Sequence, residues 1–178
     1  MAGKKVNRKR WVQVKLRLTP EESAVLEHDA KGSGLSKNDY MIRTLINRIG
    51  LSAINCERKY WGNSVDISFM IGGQRIGYAS CLFFENLGKI QVSSFYVIKP
   101  FQDIGIEEKL LQEILDYADL HLAASVIAYP GAEPYCPTEW KPMDVQTKWY
   151  ESKGFKIDHM INNVVPCMIK DLPREVAQ

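Results

Sequence analysis

The chain has 178 residues, of which 46% are hydrophobic and 25% charged. That suits a globular fold with a real core, of one ordinary domain or two small ones. No apolar run approaches a membrane span and no signal-peptide pattern opens the chain, so a cytoplasmic protein with reduced cysteines is expected. The net charge of +2 hides an asymmetry: residues 1–50 hold eleven basic and five acidic side chains, the remainder twelve and sixteen.

The first nineteen residues carry seven basic side chains and no acid. Such an arm suits a polyanion partner, or else a solubilising tail. Trp11 to Leu18 alternates: Val12, Val14, Leu16 and Leu18 share one face, while Trp11, Gln13, Lys15 and Arg17 share the other. This spacing predicts a half-buried strand. Thr19-Pro20-Glu21-Glu22 is a helix start with a capping box. The first helix ends near Lys31, at Gly32-Ser33-Gly34, and a second begins at Ser36 and continues through Ile49.

Leu51 to Asn63 has no clean period and reads as a connection. Val65–Ile71 and Gln74–Phe84 read as strands around Gly72-Gly73, a hairpin turn signal. After the turn at Glu85–Gly88, Lys89 to Leu120 reads as strand, glycine-bearing turn and amphipathic helix. Ile90, Val92 and Phe95–Ile98 suit a buried strand, and Pro100 stops it. Ile106, Leu110, Leu111, Ile114, Leu115 and Ala118 fall at helical spacing. The first N–H groups of such a helix have no internal partner and face outward with a positive dipole, so backbone alone can hold a phosphate there.

Ala124–Tyr129 supplies another strand. Tyr129–Pro142 is a long proline-rich loop holding Tyr135, Glu139 and Trp140. A helix through Tyr150 follows, and Phe155–Met160 with Val164–Ile169 closes a hairpin around Asn162-Asn163. The expected fold class is α+β, one mixed sheet flanked by helices, preceded by a small β-α-α module. Cys56, Cys81, Cys136 and Cys167 form no C-x-x-C pair, and His28, His121 and His159 are equally scattered. No metal site is expected from spacing.

Two stretches resemble known families. Gln102-Asp103-Ile104-Gly105-Ile106-Glu107 resembles motif A of the GNAT acetyltransferases, Gln/Arg-x-x-Gly-x-Gly/Ala, and Lys148–Phe155 looks like the family's helix ending in Tyr-x-x-x-Gly-Phe. The resemblance covers roughly Ser64 to Lys170. It implies an acetyl-CoA-dependent transfer of an acetyl group to an amine. Backbone at Val97 and Ile98 would meet the acetyl carbonyl and pantetheine arm. Backbone at Gln102, Asp103, Ile104, Gly105, Ile106 and Glu107 would hold the pyrophosphate. Tyr150 would protonate the leaving thiolate. The general base stays open among Glu85, Glu139, Asp144, His159 and water. Two departures stand out. Glu107 replaces the motif's last small residue, and Pro130-Gly131-Ala132 lacks the asparagine often found after that strand.

The opening segment resembles a ribbon-helix-helix DNA-binding domain through VQVKLRLTPEES, Leu26, Ala30, Gly34-Leu35-Ser36, Tyr40, Arg43 and Leu45. That implies a homodimer with a paired ribbon in the major groove of double-stranded DNA. Gln13, Lys15 and Arg17 would face the bases, and Ser36 and Lys37 a phosphate. Residues 1–50 would then be a dimerisation and DNA-binding module, and 51–178 the GNAT-like domain. The other reading makes residues 11–50 the strand and two helices with which the GNAT fold itself opens. A DNA-binding or regulatory protein with an inactive GNAT-like domain is the alternative to an acetyltransferase.

Overall fold

The computed structural model describes residues 17–49, 54–131 and 141–173. Two helices come first, α1 (Pro20–Gly32) and α2 (Lys37–Ile49). Thr19 caps α1 as expected. Its hydroxyl accepts from the Glu22 N–H, and the Glu22 carboxylate accepts from the Thr19 N–H at 2.8 Å. Gly34, at φ 64°, turns the chain into α2. The expected strand at 11–18 lies outside the described residues up to position 16; residues 17–19 carry no regular secondary structure.

Seven strands form one mixed sheet: β1 (Asn55–Trp61), β2 (Ser64–Ile71), β3 (Gln74–Phe84), β4 (Lys89–Val97), β5 (Ser125–Ala128), β6 (Lys156–Ile161) and β7 (Val165–Asp171). Their order is β1-β2-β3-β4-β5-β7-β6. Strand β1 corrects the expectation of a structureless connection over 51–63. It is an edge strand with six of its seven residues exposed, so it has no buried face to impose a period of two. Its strand state comes from full antiparallel pairing with β2, Asn55 opposite Met70 through Trp61 opposite Ser64, closed by Gly62 at φ 56°. The meander therefore has four strands rather than three. Because a tight turn joins β1 to β2, helices α1 and α2 precede the sheet rather than interrupting it after its first strand.

Among the described strands only β4 and β5 run parallel, and the crossover between them is α3 (Ile106–Leu120). Ile106, Leu110, Leu111, Ile114 and Ala118 are buried, as their spacing predicts. They join Ile67, Ile76, Ala79, Ile90, Phe95 and Val126 in a single core. Helix α4 (Met143–Ser152) sets Tyr150 against Phe95 and Phe155, with ring centroids 6.0 and 5.0 Å away. The last hairpin turns at Asn162 and Asn163, at φ 50° and 57°, the left-handed conformation that asparagine tolerates. Among the described residues, no helix is long and apolar enough to cross a membrane.

Candidate functional site

Two irregularities shape the centre of the sheet. Ser80 faces Ser94 while Cys81 faces Val92, so Ser93 is an extra residue on β4. A bulge of this kind bends its strand. Strand β4 pairs with β5 at only three positions, Lys89–Ser125 through Gln91–Ile127. Beyond them β4 continues to Val97 while β5 ends at Ala128, so the two parallel strands part company.

The end of β4 feeds a short 3₁₀ turn, Lys99–Phe101, and then the loop that opens α3. The Val97 carbonyl accepts a 2.8 Å hydrogen bond from the buried Gln102 side chain. The Ile98 N–H donates to the Ile76 carbonyl at 2.9 Å, so the sheet already uses it. Asp103 and Gly105 take left-handed conformations, φ 61° and 89°, on either side of Ile104. Such alternation turns successive N–H groups toward one point and makes a concavity suited to an anion. Gly105, at the head of α3, offers no side-chain cap.

The chain supplies an anion of its own. The Asp103 N–H donates to both oxygens of the Glu107 carboxylate, at 3.0 and 3.2 Å. Glu107 is 1% exposed. Its charge is met by the Lys141 ammonium, 3.1 Å from Oε1 and 2.5 Å from the Asp103 carboxylate. Burial alone would lower the Lys141 pKa. The Asp103 hydrogen bond and the Glu107 charge outweigh it and hold the group above its usual 10.5. Lys141 was not among the residues singled out from sequence. It lies thirty-eight positions from Asp103, at the far end of the long loop, and no local spacing links the two. Gln146, 4% exposed, ties the two ends of that loop together. Its amide donates to the Lys141 carbonyl at 2.6 Å, and its oxygen accepts from the Gly131 N–H at 3.2 Å.

Tyr150 is 1% exposed within the aromatic cluster of Phe95, Trp149 and Phe155. Of the general-base candidates, Glu85, Asp144 and His159 are exposed, and Glu139 lies outside the described residues, as do Tyr135 and Trp140.

At the other end of the chain, Gln13 and Lys15 also lie outside the described residues, and Arg17 is exposed. Ser36 caps its own helix: its hydroxyl accepts from the Asp39 N–H at 3.1 Å and donates to the Asp39 carboxylate at 2.7 Å. Lys37 reaches back to Glu27 on α1 at 2.7 Å. That contact and Lys31 hold the Glu27 carboxyl below its usual pKa. Leu18, Val25 and Leu45 leave apolar surface exposed on this small helical unit.

A family model described as the mobilization protein NikA matches residues 8–55. No curated protein matches this chain by sequence. Solved structures similar to it include a GNAT family acetyltransferase from Elizabethkingia anophelis with acetyl-CoA bound, at 12% identity and TM-score 0.53, over 68% of this chain and 99% of that one. An IAA acetyltransferase from Bacillus cereus is similar at 15% identity and TM-score 0.52, over 67% and 99% of the two chains. An aminoglycoside 6'-N-acetyltransferase complexed with coenzyme A is similar at 12% identity and TM-score 0.51, over 64% and 76%. The sheet and its helices thus have the GNAT acetyltransferase fold, and the segment that precedes them is similar to the mobilization protein NikA.

Proposed function

We propose that this chain is a DNA-binding protein whose GNAT-fold domain keeps a diphosphate cradle filled by its own Glu107 carboxylate. In this reading residues 1–50 form a dimerisation and DNA-binding module and 51–178 a domain that does not take acetyl-CoA in the ordinary way. One observation carries it: both Glu107 oxygens accept from the Asp103 N–H while Lys141 neutralises the charge. A diphosphate brought to the same loop would meet a buried carboxylate. At 4 Å and an effective dielectric near 20, each pair of like unit charges repels by about 4 kcal/mol. The engaged Ile98 N–H and the enclosed Tyr150 support the same reading.

The DNA side is supported by the basic opening, by the NikA-like segment and by the tight turn that leaves α1 and α2 outside the sheet. Exposed Leu18, Val25 and Leu45 suit a second copy packing against this unit. A cytoplasmic setting follows from such a partner. Duplex binding should fall steeply with salt. Lys15→Ala and Arg17→Ala should each weaken it and reduce the salt slope by about one. Salt-independent binding, or none by the parent chain, removes this half of the proposal.

The second reading is an N-acetyltransferase that uses acetyl-CoA, with Tyr150 as proton donor and an amine as acceptor. The parting of β4 from β5 and the retained Gln102 and Gly105 favour it. It requires Glu107 to leave its place. Calorimetric titration of the full chain with acetyl-CoA decides between the two. No heat at millimolar ligand, with binding gained in Glu107→Gly, is the outcome expected here. Micromolar binding by the parent chain, with turnover lost in Tyr150→Phe, establishes the transferase.

A further inference from the structure

Along the chain, Asp158, His159 and Cys167 share no ligand spacing; the last hairpin brings them together. We propose that they form a binding site for a zinc-class divalent ion on the face of β6 and β7. One donor atom from each lies within 4.8 Å of the others. The reason is a break in register. Ile157 pairs with Met168 and His159 with Cys167, so Asp158 is an extra residue on β6. Consecutive strand residues normally point to opposite faces. At a bulge, two residues oppose one, and here both Asp158 and His159 are set against Cys167.

The donor set decides the ion. Calcium and magnesium take oxygen ligands, whereas a thiolate with an imidazole and a carboxylate suits a borderline metal such as zinc. Ligand distances of about 2.0–2.3 Å around a tetrahedral ion place donor atoms about 3.5 Å apart. The His159 Nδ1 to Asp158 Oδ2 separation is 2.9 Å and all three donors lie within 4.8 Å, so the ion would replace the His159–Asp158 contact while side-chain rotation adjusts the donors around it. Both of these side chains are exposed, which leaves an entry path, while Cys167 is 3% exposed and anchors the site. The Tyr129 side chain neighbours the Cys167 thiol, where it would orient the sulfur as a ligand. On binding, the thiol releases its proton to solvent and the sulfur becomes the ligand. Three protein ligands leave a fourth position for water, the pattern of an open zinc site.

The test uses the full chain, stripped with a chelator and titrated with zinc chloride by calorimetry. Cobalt(II) is titrated in parallel, to read the visible bands of a four-coordinate thiolate complex. One ion per chain is expected. His159→Ala and Cys167→Ser should each weaken binding at least about tenfold and remove the cobalt bands. Cys56→Ser, on the far edge of the sheet, should leave both unchanged. Should Cys167→Ser fail to fold, His159→Ala at its exposed position carries the test alone. Failure to take up one equivalent at millimolar zinc, or unchanged affinity in His159→Ala, overturns the proposal.

Discussion

Helix α1 buries one residue of thirteen, Ala30; helix α3 buries seven of fifteen. Both begin with acidic residues in the first turn, yet they are stabilised in different ways. The start of α1 is closed within four residues, by Thr19 and Glu22 exchanging hydrogen bonds. The start of α3 has a bare glycine at its head, and its neighbouring loop is satisfied by Glu107, with a lysine from the far end of a long loop balancing the charge. A helix held by local caps and little burial is marginal alone, so α1 leans on α2, whose Ile42 in turn packs against the core. A helix that bridges two parallel strands draws its stability from the core.

The comparison breaks most visibly in that core. Leu110→Ala on α3 should cost about 4 kcal/mol, because Leu110 is fully buried and its surroundings relax only in part around the cavity left behind. Val25→Ala on α1, at 60% exposure, should change the stability of the isolated chain by less than about 0.5 kcal/mol. Denaturant melts of both variants check this. A large effect at Val25 that grows with protein concentration would instead mark it as part of a subunit interface.

Lys141→Ala comes next, at about 3 kcal/mol, since it takes the ammonium away from the buried Glu107 carboxylate and leaves the Asp103 N–H beside it. The pH dependence has a definite sign. The folded Lys141 pKa is raised, so its contribution is fully present below the unfolded value near 10.5 and is lost as pH rises through the folded value. Melts repeated on the alkaline side should show the parent chain losing its advantage over Lys141→Ala. A constant gap would mean the ammonium charge is not what holds the loop.

A smaller loss than at Leu110 or Lys141 is expected at the local cap. Thr19→Ala should cost about 1 kcal/mol, and Thr19→Ser very little. Circular dichroism of the two variants sharpens the contrast, because the loss should fall on the N-terminal helices and leave the sheet's transition in place. A Thr19→Ala effect on the whole molecule would mean that α1 is coupled to the sheet more tightly than its single buried residue implies.

Much of this architecture is written locally. The Thr19–Glu22 box, the hairpin at Gly72-Gly73, the period of α3 and the turn at Asn162-Asn163 each depend on a few neighbouring residues, and each is where its pattern puts it. The glycine-bearing turn at Gly105, just before α3, was equally legible, and Glu107 already stood out beside it. Strand β1 was not, because an edge strand with six of its seven residues exposed shows no alternation and gains its form from pairing with β2. Nor could spacing foretell that Lys141 would meet Glu107, or that Asp158, His159 and Cys167 would share one face. Those meetings depend on where long-range strand pairing and a single-residue slip in register set the backbone, and no short window of sequence holds that information.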